Sequence, residues 1–397
     1  MAFFGWKERW TPRNGYNFDE SLLISNLTFA ARDPTQRLSP APYSTLFAQT
    51  LMHSALSRPN CYPKAVSKAG LVSLFAAALA VRLILIATSF GSTDALLLMA
   101  YTHLAERHGI GPAYQYAPYL NHPPLSGAIM NAADRLGSAV GLEFSDAFRL
   151  LQTLADCATA ALLCRLGKSK EAAAFFFVSP AAIFLSGFHC TADPTMMALL
   201  VASVWTTSGA LFGLASGIKI APLPLAPFFL ISLDWRRRIL FVLTSLTALV
   251  LIFVPAVLTG GTAVLRNVFQ YPGSGYEWGF CGLGFLTHSR AWAELYAHYG
   301  RYIVIVALAC LFVFYWKRPK PPATMIAVAL SVFLFATYTI WAREFPWWFA
   351  NAAAPDVNRR LIALLAVPLW ALYGVAIVVA LRGQPSGQLA PEQLAEG

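Results

Sequence analysis

The stretch LVSLFAAALAVRLILIATSF, residues 71–90, decides the fold class of this chain. It runs for twenty residues with one charge, Arg82, inside it. A helix of about 20 predominantly apolar residues crosses a bilayer core about 30 Å thick, and such a helix satisfies its own backbone hydrogen bonds in lipid. Four residues beyond its end stands a carboxylate, Asp94. Similar blocks recur, and spans are expected at about 71–90, 123–140, 147–166, 171–188, 194–214, 217–233, 239–259, 302–316, 322–341 and 361–381. Blocks rich in Leu, Ala and Phe do not alternate over about 10 residues as the strands of a membrane barrel do. The expected architecture is an all-α polytopic membrane protein of about 9–11 transmembrane helices, with an amphipathic extracytoplasmic first loop. Composition agrees: 12% of residues are charged and 57% are hydrophobic, against about 25% charged in soluble domains.

The net charge of +10 does not point to nucleic acid. Much of it lies in short runs beside apolar segments, WRRR (235–238) and KRPK (317–320), as in the cytoplasmic loops of membrane proteins. The six cysteines form no CxxC pair, so they read as small apolar packing residues rather than redox or metal ligands. Residues 1–69 are polar with scattered prolines and aromatics and are expected to form a cytoplasmic extension. They hold no apolar leader segment, and Met52 is an alternative start. The transmembrane domain is expected over 70–382, with outer loops 91–122, 260–301 and 342–360, followed by a disordered cytoplasmic tail, 383–397. No internal repeat of the kind that builds many transporters is apparent.

Lys64 and Lys68 before the first span place its start in the cytoplasm and Asp94 outside. WRRR and KRPK then place 260–301 outside as well. Strict alternation through the middle segments conflicts with the charge rule, because it sends HCTAD (189–193) to the cytoplasm and KSK (168–170) outside. One of those segments must be short, re-entrant or interfacial.

Several residues are candidates for chemistry. Arg82 inside its span either snorkels toward headgroups or faces an interior cavity and an anionic group. Asp94 in GSTD is either a helix-start acid behind a Ser92 or Thr93 cap or a reacting carboxylate. The helix after it is expected to lie along the membrane surface. On it, His103 and Glu106 are three apart and form a two-ligand candidate for a divalent metal. Lys219 in GLASGIKIAPLP either reaches an interface or meets a phosphate. His122 in NHPPL is a plain loop histidine or a hydrogen-bond donor. Arg266, Tyr271, Tyr276, Glu277 and Trp278 cluster near the second outer loop, where the aromatics either stack on a sugar or anchor in headgroups.

The order of these features resembles the GT-C superfamily, the integral-membrane glycosyltransferases that use polyprenyl-phosphate sugars. The first span carries a late Arg82-Leu83, an acid follows just beyond it, and YLNHPPL (119–125) leads into the next apolar segment. VSPAAIFLSGFHCTADPTMMALL (178–200), GLASGIKIAPLPLAPFFL (213–230) and the mannosyltransferase-like NVFQYPGSGYEWGFCGL (267–283) continue it. The resemblance covers about 71–285. It implies transfer of a hexose such as mannose from a polyprenyl-phosphate donor to a lipid-linked or envelope glycan acceptor among membrane lipids. It further implies Asp94 as general base, inversion at the anomeric carbon, and substrate contacts from Arg82, His122, His189, Asp193, Lys219 and the 266–278 group. Asp94 has no adjacent second carboxylate, so no cofactor is implied firmly and a divalent metal stays open. A bacterial inner membrane, or alternatively the ER membrane, is the expected location, with the site extracytoplasmic. The rival reading is a transporter or flippase for a lipid-linked or anionic solute, which would line polar groups through the midplane; convergence at one end favours transfer.

Overall fold

The computed structural model describes residues 67–118, 120–167, 170–270 and 290–336. No strand occurs among them. The helices are α1 (Lys68–Thr88), α2 (Thr93–His108), α3 (Ile110–Tyr116), α4 (Pro124–Ala139) and α5 (Phe144–Gly167). Next come α6 (Lys170–Val178), α7 (Pro180–Phe184), a π-helical turn (Leu185–His189), α8 (Asp193–Thr206) and α9 (Gly209–Ile218). A 3-10 turn (Leu223–Leu225), α10 (Ala226–Ile231), α11 (Trp235–Gly260), α12 (Thr262–Phe269), α13 (Arg290–Lys317) and α14 (Pro322–Ala336) complete the order. Among the described residues α1, α5 and α11 are long and apolar enough to cross a membrane, and the chain is an all-α polytopic membrane protein. The expected extension 1–69, apart from its last residues, the tail 383–397 and the span 361–381 lie outside the described residues.

Side-chain contacts fix the direction of each helix. Along α1, Phe75 stacks on Phe177 at 4.8 Å, Arg82 bonds to Ser186, and Ser92 just past its end bonds to His189. The limb from α6 to the π-turn therefore runs parallel to α1. Arg82 also meets Asp156, while Ser89 meets Arg149, so α5 runs the opposite way. Gln152 accepts from Thr195, and Arg165 lies over the Trp205 ring at 5.7 Å, so α8 runs alongside α5. The return limb α9 packs along α11 through Gly209, Gly213 and Gly217. A Cβ on Gly209 would lie 2.0 Å from the Phe241 carbonyl oxygen, and one on Gly217 would lie 2.3 Å from Ile252. Spacing small residues one turn apart lets two helix backbones touch, which is how helices associate where lipid removes the hydrophobic drive.

Helix α4 corrects the expected span over 123–140. Its first turn is tied to the end of α9, where Ser126 Oγ donates to the Ile218 carbonyl at 2.6 Å. Its last turn abuts the start of α5, where a Cβ on Gly137 would lie 2.6 Å from Ala147. Both of those neighbours sit at the Asp94 end of the bundle, so α4 lies across that end and does not traverse it. Its sequence explains why. Sixteen residues reach only about 24 Å at 1.5 Å per residue, and Asn131, Asp134 and Arg135 punctuate its second half. With one crossing removed the charge conflict disappears: HCTAD joins Asp94, and Lys68, Arg165, Lys170, Arg236, Arg237, Arg238 and Lys317 gather at the opposite end. Trp316 beneath the Arg238 guanidinium, at 6.0 Å, ties the close of α13 to that basic end.

Candidate active site at one end of the helix bundle

The site is assembled from three helix starts, a π-helical turn and one helix end. Gly91, with φ +99°, turns the chain out of α1 so closely that a Cβ there would sit 2.8 Å from the Phe188 carbonyl oxygen. Ser92 then caps α2, accepting from the Asp94 amide at 3.3 Å, and donates its hydroxyl to the His189 carbonyl. Asp94 occupies the first turn of α2, where the helix dipole favours an acid. The side chain it meets comes from the π-turn: His189 Nε2 lies 3.1 Å from Asp94 Oδ2. The π-turn ends on Cys190, a fully buried non-glycine residue at φ 61°. That left-handed backbone costs about 1–3 kcal/mol and persists only where packing over-determines it. It swings the chain so that three residues on, Asp193 opens α8 within the same cluster.

Asp193 is 5% exposed, and the Lys219 ammonium at the close of α9 lies 2.6 Å from its Oδ1. Burial raises the Asp193 carboxyl, but Lys219 and then the neighbouring histidines outweigh it and hold the group below the usual carboxylate range. His122 joins from the segment before α4. Burial, and then the Lys219 ammonium, push its imidazole down to about 4. The same causes, in the same order, lower His189 against the opposing pull of Asp94 and Asp193. Both histidines are therefore neutral near pH 7 and act there as hydrogen-bonding groups rather than as cations. Tyr114 in α3 donates its hydroxyl to the His122 carbonyl and fixes that segment. Asp94 is the open member of the group, with its side chain 48% exposed, while Lys219 is 26% exposed.

A pH dependence follows. In the unfolded chain His122 titrates at its ordinary 6.5, whereas in the fold it does so at about 4. Between those values the unfolded state binds more protons, so stability is fully present above about pH 6.5 and declines as pH falls toward 4. Thermal unfolding in detergent at about pH 7.5 and about pH 5 should show a lower melting temperature in acid. His122→Asn should flatten that slope.

Of the candidates read from sequence, Asp94, His122, His189, Asp193 and Lys219 come together. Arg82 does not join them. It is wholly buried between helices, with Asp156 Oδ2 at 3.2 Å, Ser186 Oγ at 2.9 Å and the Phe177 ring 4.1 Å below its guanidinium. Arg266 is exposed on α12, a helix held by Asn267 donating to the Tyr114 and Ala117 carbonyls. His103 and Glu106 pair at 3.7 Å on the half-exposed face of α2. Among the described residues no group of three or more His, Cys, Asp or Glu is placed to hold a metal. Tyr271, Tyr276, Glu277 and Trp278 lie outside the described residues. Arg149 was not singled out from sequence, yet it is wholly buried behind the Asp94 segment and bonds to it directly. Its signal was available, since Arg149 and Asp156 are charges inside an expected span, as Arg82 is.

A cleft of about 480 Å³ opens between α3, the start of α4 and α11, lined by Ile110, Pro124, Leu125, Leu251 and Pro255 together with His108 and Thr259. The description of glycosyltransferase family 87 matches residues 141–340, half of the chain, a range that holds Arg149, His189, Asp193 and Lys219. Among curated proteins and among solved structures no match is found. An all-helical membrane fold together with that match means that the chain belongs to glycosyltransferase family 87, a GT-C-type family of membrane glycosyltransferases.

Proposed function

We propose that this glycosyltransferase moves a hexose, mannose first among the candidates, from a polyprenyl-phosphate donor to a lipid-linked or envelope glycan, with inversion. The observation that carries the reading is the pairing of an open carboxylate, Asp94, with His189 at 3.1 Å, beside the Lys219–Asp193 pair. In a single displacement the acceptor oxygen bonds to the anomeric carbon as the bond from that carbon to the phosphate oxygen breaks. The acceptor proton passes to Asp94, which takes the role of general base. His189, neutral and hydrogen-bonded to Asp94, orients the carboxylate without neutralising it. The leaving phosphate gains charge, which calls for a cation fixed in advance, and Lys219 is the cation of the cluster. Asp193 holds that ammonium in place, and neutral His122 offers the phosphate a further hydrogen bond.

The cleft between α3, the start of α4 and α11 suits the lipid chain of such a donor, since most of its walls are hydrocarbon and it includes Pro124, two residues along the chain from His122. The basic end of the bundle opposite the site reads as cytoplasmic, so the reaction is assigned to the extracytoplasmic face, in a bacterial inner membrane or the ER. A transporter would string its polar groups through the midplane. Here the buried midplane charges, Arg82 and Asp156, are closed on each other.

Purified protein incubated with labelled polyprenyl-phosphate mannose, glucose and arabinose should transfer a hexose, mannose or glucose, and transfer of the pentose arabinose alone would overturn the hexose assignment. Failure with all three, with active controls, would overturn the donor assignment. Lys219→Met should lower kcat by about 10²- to 10³-fold. Its companion Lys219→Arg should keep part of the rate, and steady-state kinetics on both variants would show it.

A further inference from the structure

We infer that Arg149 is a positioning residue that sets Asp94 against His189 by holding both segments from one guanidinium. The inference rests on the reading of Asp94 as base. Arg149 is 0% exposed and reaches three parts of the chain. Toward the end of α1 it donates to the carbonyls of Leu85 at 3.3 Å, Ile86 at 3.2 Å and Ser89 at 2.6 Å, and to Ser89 Oγ at 3.1 Å. Toward the π-turn it donates to the Gly187 carbonyl at 3.1 Å. On its own helix it is braced by the Ser145 carbonyl at 3.0 Å, Ser145 Oγ at 3.4 Å and Asp146 at 2.8 Å.

The last carbonyls of a helix lack partners within it, and a cation there is favoured by the dipole. Capping α1 would account for the bonds to Leu85, Ile86 and Ser89. It does not account for the bond to Gly187, which belongs to another limb. That bond fixes the π-turn two residues before His189, while the bond to Ser89 fixes the chain five residues before Asp94. Between these anchors the two strands of chain lie directly on each other. The Ser92 amide donates to the Phe188 carbonyl at 3.1 Å, and a Cβ on Gly91 would lie 3.7 Å from Arg149 Cζ. A planar fork of five donors can hold carbonyls on two limbs at once, which a lysine ammonium on a flexible stem cannot do with the same rigidity. The quantity controlled is the separation of the Asp94 carboxylate and the His189 ring.

The test compares Arg149→Lys, Gly91→Ala and Asp94→Asn with the wild type, in detergent, using whichever of the three labelled donors named above the protein accepts. Arg149→Lys should lower kcat roughly 10- to 100-fold with donor KM within about threefold, because misplacement by an ångström costs about 10²-fold in rate. The melting temperature should change far less than the rate. Gly91→Ala leaves Arg149 and its bonds to α1 in place but forces the segment off the Phe188 carbonyl, so it should lower kcat in the same way and decides the matter should Arg149→Lys not fold. Wild-type kcat in Gly91→Ala, or a loss in Arg149→Lys that merely tracks the amount of folded protein, overturns the inference. Full activity in Asp94→Asn instead removes the base assignment on which it rests, and that outcome is read separately.

Discussion

Asp94→Asn should lower sugar transfer by about 10²- to 10⁴-fold, the range that general acid–base catalysis supplies, while the protein should insert and fold as before. The two halves of that expectation have different origins. Folding is spared because the Asp94 side chain is 48% exposed and its backbone amide, not its carboxylate, is what Ser92 caps. An asparagine keeps an oxygen that His189 Nε2 can donate to and forfeits only the favourable charge on the helix dipole, about 0.3–1 kcal/mol. Chemistry is not spared, because an amide cannot take up the acceptor's proton. Asp94→Glu keeps the base but pushes it outward by one methylene, so it should retain an intermediate rate. Turnover at saturating donor, normalised to folded protein, measures both variants. An asparagine variant retaining more than about a tenth of the wild-type rate would remove Asp94 from the proton transfer.

The class of the fold was legible in the sequence because hydropathy is additive along a chain: α1, α5 and α11 each fall where an apolar run was read. Helix α4 shows the limit of that reasoning. Over 123–140 the average is apolar enough to suggest a crossing, yet the residues that decide the matter are Asn131, Asp134 and Arg135, set where a crossing helix would be in hydrocarbon. The candidate site was legible for a different reason. Asp94, His189, Asp193 and Lys219 stand out singly as polar residues in or beside apolar runs, where each needs a partner. What a sequence does not supply is the pairing. Asp94 meets a histidine 95 positions away and Lys219 an aspartate 26 positions back, distances set by helix directions that depended on the uncrossed α4. Arg149 escaped for a related reason, since most of its partners are backbone carbonyls, which no residue type announces.

Arg82 and Asp156 bring the same question inside the bilayer. Both are almost wholly buried, at 0% and 4% side-chain exposure, and 3.2 Å apart, with Ser186 and the Ala78 carbonyl occupying further guanidinium donors. Bringing two such ions together in a low-dielectric interior gains little net, because desolvation consumes most of the attraction. Removing one of them is a different matter, since the survivor is stranded. Asp156→Leu should therefore destabilise the protein by about 3–5 kcal/mol, and Arg82→Met by a similar amount, in each case by leaving a buried charge without its counterion. The double variant Arg82→Met/Asp156→Leu should recover most of that loss, because a hydrophobic pair of similar volume replaces the ions and keeps the contact with Phe177. Thermal unfolding of the three variants in one detergent, at one protein concentration, gives the comparison. Transfer by the double variant separates the two roles open to Arg82. If the guanidinium serves only to close on Asp156, donor KM stays near the wild-type value once folding is restored. If it contacts the donor, KM rises in the double variant as much as in Arg82→Met alone, and the bundle interior would have to open to let the donor in.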